Sequence, residues 1–177
     1  MTKFLLMRHG HPDYSGPKRW GTLGWGSDLA PLSDMGVQQV AAQLASIKDF
    51  NPEIVLSSPM TRAVQTALVL RQGLQVPFKV EFDLHEWVPD KTFQWRTLSE
   101  IEALQADYER CKGVYPPGET KLWETTESVR LRVLAVLRKY DRYSRVLAVC
   151  HGQAIKAVCG TDEKLELAGV RALELKG

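Results

Sequence analysis

The side chains with the most chemical capacity fall into four short groups along the chain. They are Arg8, His9 and Gly10; Ser57, Ser58 and Arg62; His85 and Glu86; and His151 and Gly152. Guanidinium groups, imidazoles and a carboxylate in one place suit phosphoryl transfer. A phosphate dianion needs charge-assisted donors, and the planar fork of an arginine holds two oxygens at once. Arg8, Arg62 and an N–H of His151 would clamp the phosphate, with Gly152 as a further substrate-binding candidate. His9, neutral at its attacking nitrogen, would displace the leaving oxygen and carry the phosphoryl group as phosphohistidine. Nearby arginines disfavour its protonated form. Glu86 would protonate the leaving oxygen and later accept a proton from the attacking water. Fixed guanidinium groups neutralise the charge, so neither a metal nor a cofactor is expected.

These groups can act together only if the fold brings them to one place. Four apolar or β-branched runs read as strands, namely Lys3 to Arg8, Ile54 to Ser57, Lys79 to Leu84 and Arg145 to Cys150. A fifth, Arg171 to Leu175, alternates charged and apolar residues as an edge strand does. Helical patterns lie between them. Ser33 caps a helix with Val37, Val40, Ala41, Leu44 and Ile47 on one stripe. The segment SSPMTRAVQTALVLRQG offers Ser58 as cap, Pro59 as first helical residue and Gly73 as stop. Leu98 to Arg110, Thr126 to Tyr140 and GQAIKAVCG, closed by Gly160, complete the set.

This alternation predicts one α/β domain over residues 1–177, a three-layer fold with a mainly parallel central sheet flanked by helices. Ligands of such sheets bind beyond the carboxyl ends of the strands, where the four groups fall. Arg62, in the first turn of its helix, would lean back toward that edge. Two long irregular stretches, Gly10 to Leu32 and Trp87 to Thr97, hold the tryptophans at 20, 25, 87 and 95. Their rings read as anchors of those loops on the core; the sharper reading is an apolar wall for the substrate's organic part. His11 would border the substrate or face solvent, and His85, alternating away from Glu86, reads as structural.

A formal charge of +2 over 177 residues is too balanced to imply a nucleic-acid partner, so any basic feature must be local. No stretch approaches the roughly 18 consecutive apolar residues of a membrane span. The run in MTKFLLMRHG is too short for a signal-peptide core, and three widely spaced cysteines do not suggest a disulfide framework. A reduced, cytoplasmic protein is the simplest expectation, and oligomeric state is not readable. Cys150, His151 and Cys159 lack the spacing of a zinc site; Cys150 and Cys159 sit among core residues.

Taken together, LLMRHGHP, SSPMTRAVQTA, LHEW and VLAVCHGQAI resemble, in order, the motifs of the histidine phosphatase superfamily with its phosphoglycerate-mutase-like fold. LSDMGVQQV and PPGET resemble lesser segments of it. The resemblance spans nearly the whole chain. It implies Arg8, Arg62 and His151 as phosphate ligands, His9 as nucleophile and Glu86 as acid. His11 and Ser15 stand where phosphoglycerate mutases carry Glu or Gln and Asn; the resemblance leaves Ser15 a substrate-binding candidate through one hydrogen bond, but the acidic, glycine-rich run those enzymes have after the acid is missing. The expected activity is therefore a metal-independent phosphomonoesterase acting on a small phosphorylated metabolite. A mutase and a non-catalytic phosphate-binding module are the alternatives; intact His9 and Glu86 count against the second.

Overall fold

The computed structural model describes residues 1–21 and 24–175. Five strands form one sheet: β1 (Thr2–Arg8), β2 (Ile54–Ser57), β3 (Phe78–Val80), β4 (Arg145–Cys150) and β5 (Val170–Leu175). Their order is β3-β2-β4-β1-β5, all parallel except β5, which runs antiparallel along β1. The helices are α1 (Ser15–Trp20), α2 (Asp34–Ala42), α3 (Leu44–Phe50), α4 (Thr61–Leu74), α5 (Leu98–Arg110), α6 (Thr126–Arg138) and α7 (Gly152–Cys159). Short 3-10 turns cover Trp25–Leu29 and Phe82–Leu84.

Side-chain alternation along the central strands divides the interior between two faces. Phe4, Leu6, Ile54, Leu56, Val146 and Ala148 join a core with residues of α5, α6 and α7. Met7, Val55, Leu147 and Val149 join another with α2, α3 and α4. Both faces are covered, which is why β2 and β4 read as unbroken apolar runs. Each fully buried Leu or Ile in these layers contributes roughly 1.5–3 kcal/mol of transfer free energy. The result is the three-layer α/β architecture expected, with β5 half-buried at one edge.

Several local expectations are corrected. The third strand ends at Val80, and the chain reaches His85 and Glu86 through the Phe82–Leu84 turn rather than directly off a strand. The helix begun at Ser33, whose side chain accepts the Gly36 N–H, breaks at Gln43 into α2 and α3. Within α2, Val37 and Ala41 face solvent, while Val40, and Ile47 on α3, are buried. Pro59 precedes α4, whose cap position is Met60 with no side-chain bond. Gly73 lies inside α4, where a Cβ would meet Leu44 Cδ2 at 2.8 Å, and Gln75 makes the left-handed stop at φ 52°. Packing against α3, not helix termination, demands the glycine at 73. The helix after Thr125 closes at Arg138, two residues early.

One close approach brings the first motif into place. A Cβ on Gly10 would lie 2.7 Å from the Gly36 carbonyl oxygen, and one on Gly36 would lie 2.3 Å from that of His11. The two glycines let the loop after β1 press against the start of α2. The His11 N–H then donates to Gln39 Oε1 at 2.9 Å.

Candidate active site

β4 lies between β1 and β2, so their carboxyl ends set Arg8-His9, His151 and Ser57-Ser58 side by side. The His9 N–H donates to the Cys150 carbonyl at 3.1 Å and the Ser58 N–H to that of Val149 at 2.9 Å, extending the sheet pattern past the strand ends. The His9 and His151 rings then face one another with centroids 5.1 Å apart. Two partners within α4 complete the frame. Thr66 Oγ1 donates to the Arg62 carbonyl at 2.8 Å and accepts the Gly10 N–H at 3.1 Å, while Gln65 Oε1 accepts the Leu32 N–H. The helix that carries Arg62 thereby grips the loop that carries His9.

The hydrogen bonds define which nitrogen is reactive. His9 Nδ1 lies 2.8 Å from the Gly10 carbonyl, which can only accept, so Nδ1 carries the proton and Nε2 the lone pair. Arg62 Nε–H donates to that lone pair at 3.2 Å, and the rest of the guanidinium reaches the Ser27 carbonyl and Met60 Sδ. Burial first, and the Arg62 charge second, lower the His9 pKa from 6.5 to about 3. His9 is therefore neutral near pH 7, as a nucleophile must be.

His151 is fully buried, and the same two influences, led again by burial, hold it well below the ordinary imidazole value. Its Nε2 is 2.7 Å from Ser58 Oγ, which also accepts the Met60 N–H at 3.3 Å. The hydroxyl proton is free to point at Nε2, which leaves the imidazole proton on Nδ1. That nitrogen and Arg8 Nε are buried without a hydrogen-bond partner among the described residues. Arg8 itself is anchored by donating from its NH1 group to the Leu165 carbonyl at 2.7 Å. An unmet buried donor costs about 1–3 kcal/mol. A phosphate oxygen would satisfy both.

Glu86 reaches the same crevice from the other side. Its carboxylate accepts the Trp87 N–H at 2.8 Å and, at 3.3 Å each, the Gln153 and Ala154 N–H groups at the start of α7. The segment bearing it is tied down by Arg132, which was not singled out in the sequence. One Arg132 nitrogen donates to the carbonyls of Asp83 and His85 at 2.7 and 2.8 Å. Another reaches the Glu86 carbonyl at 3.1 Å, and the fork also pairs with buried Glu124. Burial pushes the Glu124 carboxyl up, but the Arg132 hydrogen bonds and charge outweigh it and hold it below its ordinary value. A helix-borne arginine 46 residues from Glu86 gives no periodic signal in the sequence.

A cavity of about 1090 Å³ opens above these groups, lined among others by Arg8, His9, Arg62, Glu86 and Gly152. Ser15 lines it too, although its hydroxyl and N–H both donate to Asp13. His11 borders it, half-buried and bonded through Nδ1 to Ser33 Oγ at 2.9 Å. His85 stays outside the lining and binds the Glu86 carbonyl at 2.7 Å. Of the loop tryptophans, Trp87 is buried, lines the cavity and donates to the Glu124 carbonyl, so it both anchors its loop and walls the site. Trp20 is 75% exposed and anchors nothing, Trp95 is half-buried, and the Trp25 side chain lies outside the described residues. Cys150 is wholly buried, with its thiol pushed up to about 12, as suits a core residue.

A profile of the histidine phosphatase superfamily, branch 1, matches residues 4–177. The chain belongs to that superfamily. The uncharacterized phosphatase PhoE of Bacillus subtilis (strain 168) is 30% identical over 173 residues, covering 94% of this chain and 82% of its own. Among solved structures, Bacillus stearothermophilus YhfR aligns over 100% of this chain and 93% of its own, with a TM-score of 0.76 and 22% identity. A mycobacterial glucosyl-3-phosphoglycerate phosphatase aligns over 98% and 91%, with a TM-score of 0.72 and 22% identity. At such identities the structural likeness establishes the histidine phosphatase fold. Among the described residues, no helix is long and apolar enough to cross a membrane.

The two depressed imidazoles make histidine phosphatase stability depend on acid in a definite direction. Between about pH 6.5 and pH 3 the unfolded chain binds a proton at position 9 that the folded chain does not. His151 behaves in the same sense. Stability is thus present above the unfolded value and is lost as the pH falls. For His9 the slope approaches about 1.4 kcal/mol per pH unit, so it should cost roughly 1.5 kcal/mol on going from about pH 6.5 to about pH 5, and His151 adds to the loss in the same direction. Urea midpoints in phosphate-free buffer, compared between the wild-type chain and His9→Gln, measure it. The variant should show a visibly shallower loss; identical slopes would show that His9 does not titrate this way.

Proposed function

We propose that the chain is a metal-independent phosphomonoesterase that acts through a phosphohistidine on a small phosphorylated metabolite. The observation that carries this reading is the His9 Nε2 lone pair, set beside Arg62 and accompanied by partnerless donors on Arg8 and His151. The transferred phosphoryl oxygens would take the Arg62 guanidinium and those two donors, releasing the lone pair for in-line attack on phosphorus. As the P–O bond to the organic group breaks, Glu86 would supply the proton its oxygen needs. Water activated by the same carboxylate would then displace the phosphoryl group from His9 and regenerate the neutral imidazole. The B. subtilis relative's name, a phosphatase, supports hydrolysis over transfer between positions. The commitment of the Ser15 hydroxyl to Asp13 points the same way, because a mutase must hold and re-bind its product.

Assays of phosphate release from p-nitrophenyl phosphate and alkyl phosphates test the reading. Turnover should persist in excess chelator and be blocked by vanadate, which mimics pentacoordinate phosphorus. Interconversion of 2- and 3-phosphoglycerate should be slight. Loss of activity in chelator, restored by Zn²⁺ or Mg²⁺, would sink the metal-independent mechanism. Efficient interconversion stimulated by a bisphosphoglycerate primer would favour the mutase instead.

A further inference from the structure

The cavity is far larger than a phosphoryl group requires, and its outer lining is not neutral. Besides Arg8 and Arg62 it contains Lys18, Lys156 and Lys164, against the carboxylates Asp13, Glu86 and Glu109. Asp13 and Glu86 already spend their oxygens on N–H and O–H donors of Ser15 and on backbone N–H groups. Among the described residues, no ion pair joins Lys18, Lys156 or Lys164 to a carboxylate. A near-neutral chain has thus placed unpaired cations around one opening.

The three lysines come from three separate parts of the fold and share a relation to the phosphate end. Gly152 marks that end, because a Cβ there would touch Arg8 Nε at 3.5 Å. Gly152, Gln153 and Lys156 all line the cavity, which therefore runs along the first turn of α7. Four residues of helix place the Lys156 Cα about 6 Å along the axis from Gly152. Helical side chains lean toward the N-terminus, so a lysine there is suited to reach back toward the phosphate end. Lys164 directly precedes Leu165, whose carbonyl anchors Arg8. Lys18 lies one turn beyond Ser15 on α1, and both line the cavity.

We infer that Lys18, Lys156 and Lys164 form a second anion subsite, so that the substrate is an organic phosphate bearing another anionic group a few carbon atoms from the first phosphate. This rests on the phosphomonoesterase reading for the site of the first phosphate. A carboxylate and a second phosphate share the required chemistry, since each offers clustered anionic oxygens to ammonium donors. Tyr14, Trp87 and Leu165 in the lining give the intervening carbons apolar contact.

Binding to the His9→Ala protein, read by calorimetry without turnover, tests the subsite with three matched probes. Propyl phosphate has no second anion, 3-(phosphonooxy)propanoate has a carboxylate, and propane-1,3-diyl bisphosphate has a second phosphate. At least one of the two probes with an anionic tail should bind about tenfold more tightly than propyl phosphate, on the scale of a few partly exposed ion pairs. Which of the two gains more identifies the anion. Adding Lys18→Gln, Lys156→Gln and Lys164→Gln together should bring the ratio within about twofold of unity, and half-buried Lys156→Gln alone should cut it about threefold. The same charge loss at exposed Lys48, Lys79 and Lys112 should leave the ratio in place. Equal affinities for all three probes, absence of binding by any, or a ratio indifferent to the cavity lysines would overturn the subsite. Failure of the wild-type chain to release phosphate from any ester would instead remove the hydrolase reading while leaving this ratio readable.

Discussion

Replacement of His9 by alanine should lower turnover by on the order of 10⁴-fold or more, the scale on which enzymes respond to loss of a covalent nucleophile. The residual rate would come from the arginines, which still bind and polarise the phosphoryl group. The reason for so large an effect is the geometry around one atom. Nδ1 is committed to the Gly10 carbonyl, so only Nε2 can attack, and burial with Arg62 keeps that nitrogen unprotonated. Acid-quenched and base-quenched turnover mixtures of the wild-type chain should differ accordingly. A phosphoryl group on imidazole survives base and is lost in acid, and peptide mapping should place it at His9. Label on a serine, or near-normal turnover in His9→Ala, would mean that the nucleophile is another residue. Ser58 would be the first alternative, since its hydroxyl lies 2.7 Å from His151.

Glu86→Gln should cost about 10² to 10⁴ in rate on an alkyl phosphate, the usual contribution of a general acid. On p-nitrophenyl phosphate the loss in the phosphorylation step should be much smaller. An alkoxide must gain a proton as its bond to phosphorus breaks, whereas a nitrophenolate leaves as an anion near neutrality. The step has to be read from the burst or from single turnovers, because Glu86 also serves the attacking water. Arg62→Ala should damage both esters alike, since the transferred group is common to them. Arg132 supplies the structural counterpart. Arg132→Lys keeps a cation against Glu124 but loses the fork that holds the carbonyls of Asp83, His85 and Glu86. It should therefore reproduce the leaving-group pattern of Glu86→Gln in weaker form, with His9 still becoming phosphorylated by the nitrophenyl ester. Equal losses on the two esters for Glu86→Gln would show that the carboxylate is not the proton donor, and His11, which borders the cavity, would be tested next.

What could be read from the sequence was the information carried by short stretches. Unbroken apolar runs at Ile54–Ser57 and Arg145–Cys150 specify strands covered on both faces, and both appear with those bounds. Parallel strands joined by helices bring their carboxyl ends to one edge, so Arg8, His9, Arg62 and His151 could be placed together before any contact was known. Glu86 was placed there too, although by the wrong route. A 3-10 turn, not a strand end, delivers it.

Tertiary structure decided whatever depends on partners distant in the chain. Ser58 has the residue type of a helix cap, yet its hydroxyl serves His151, 93 residues away, and α4 starts without it. Gly73 has the type of a helix stop, yet α3 packing demands its missing Cβ. The stripe from Val37 to Ile47 has one period but falls on two helices divided at Gln43, and of its residues only Val40 and Ile47 are buried. Arg132 resembles a surface charge of the Thr126 to Tyr140 helix and is instead paired with buried Glu124, holding the acid's loop. Periodicity reports which face of an element is apolar. It does not report which polar group will be desolvated opposite which other one, and that pairing sets the His9 tautomer, the lone donors of Arg8 and His151, and the placement of Glu86.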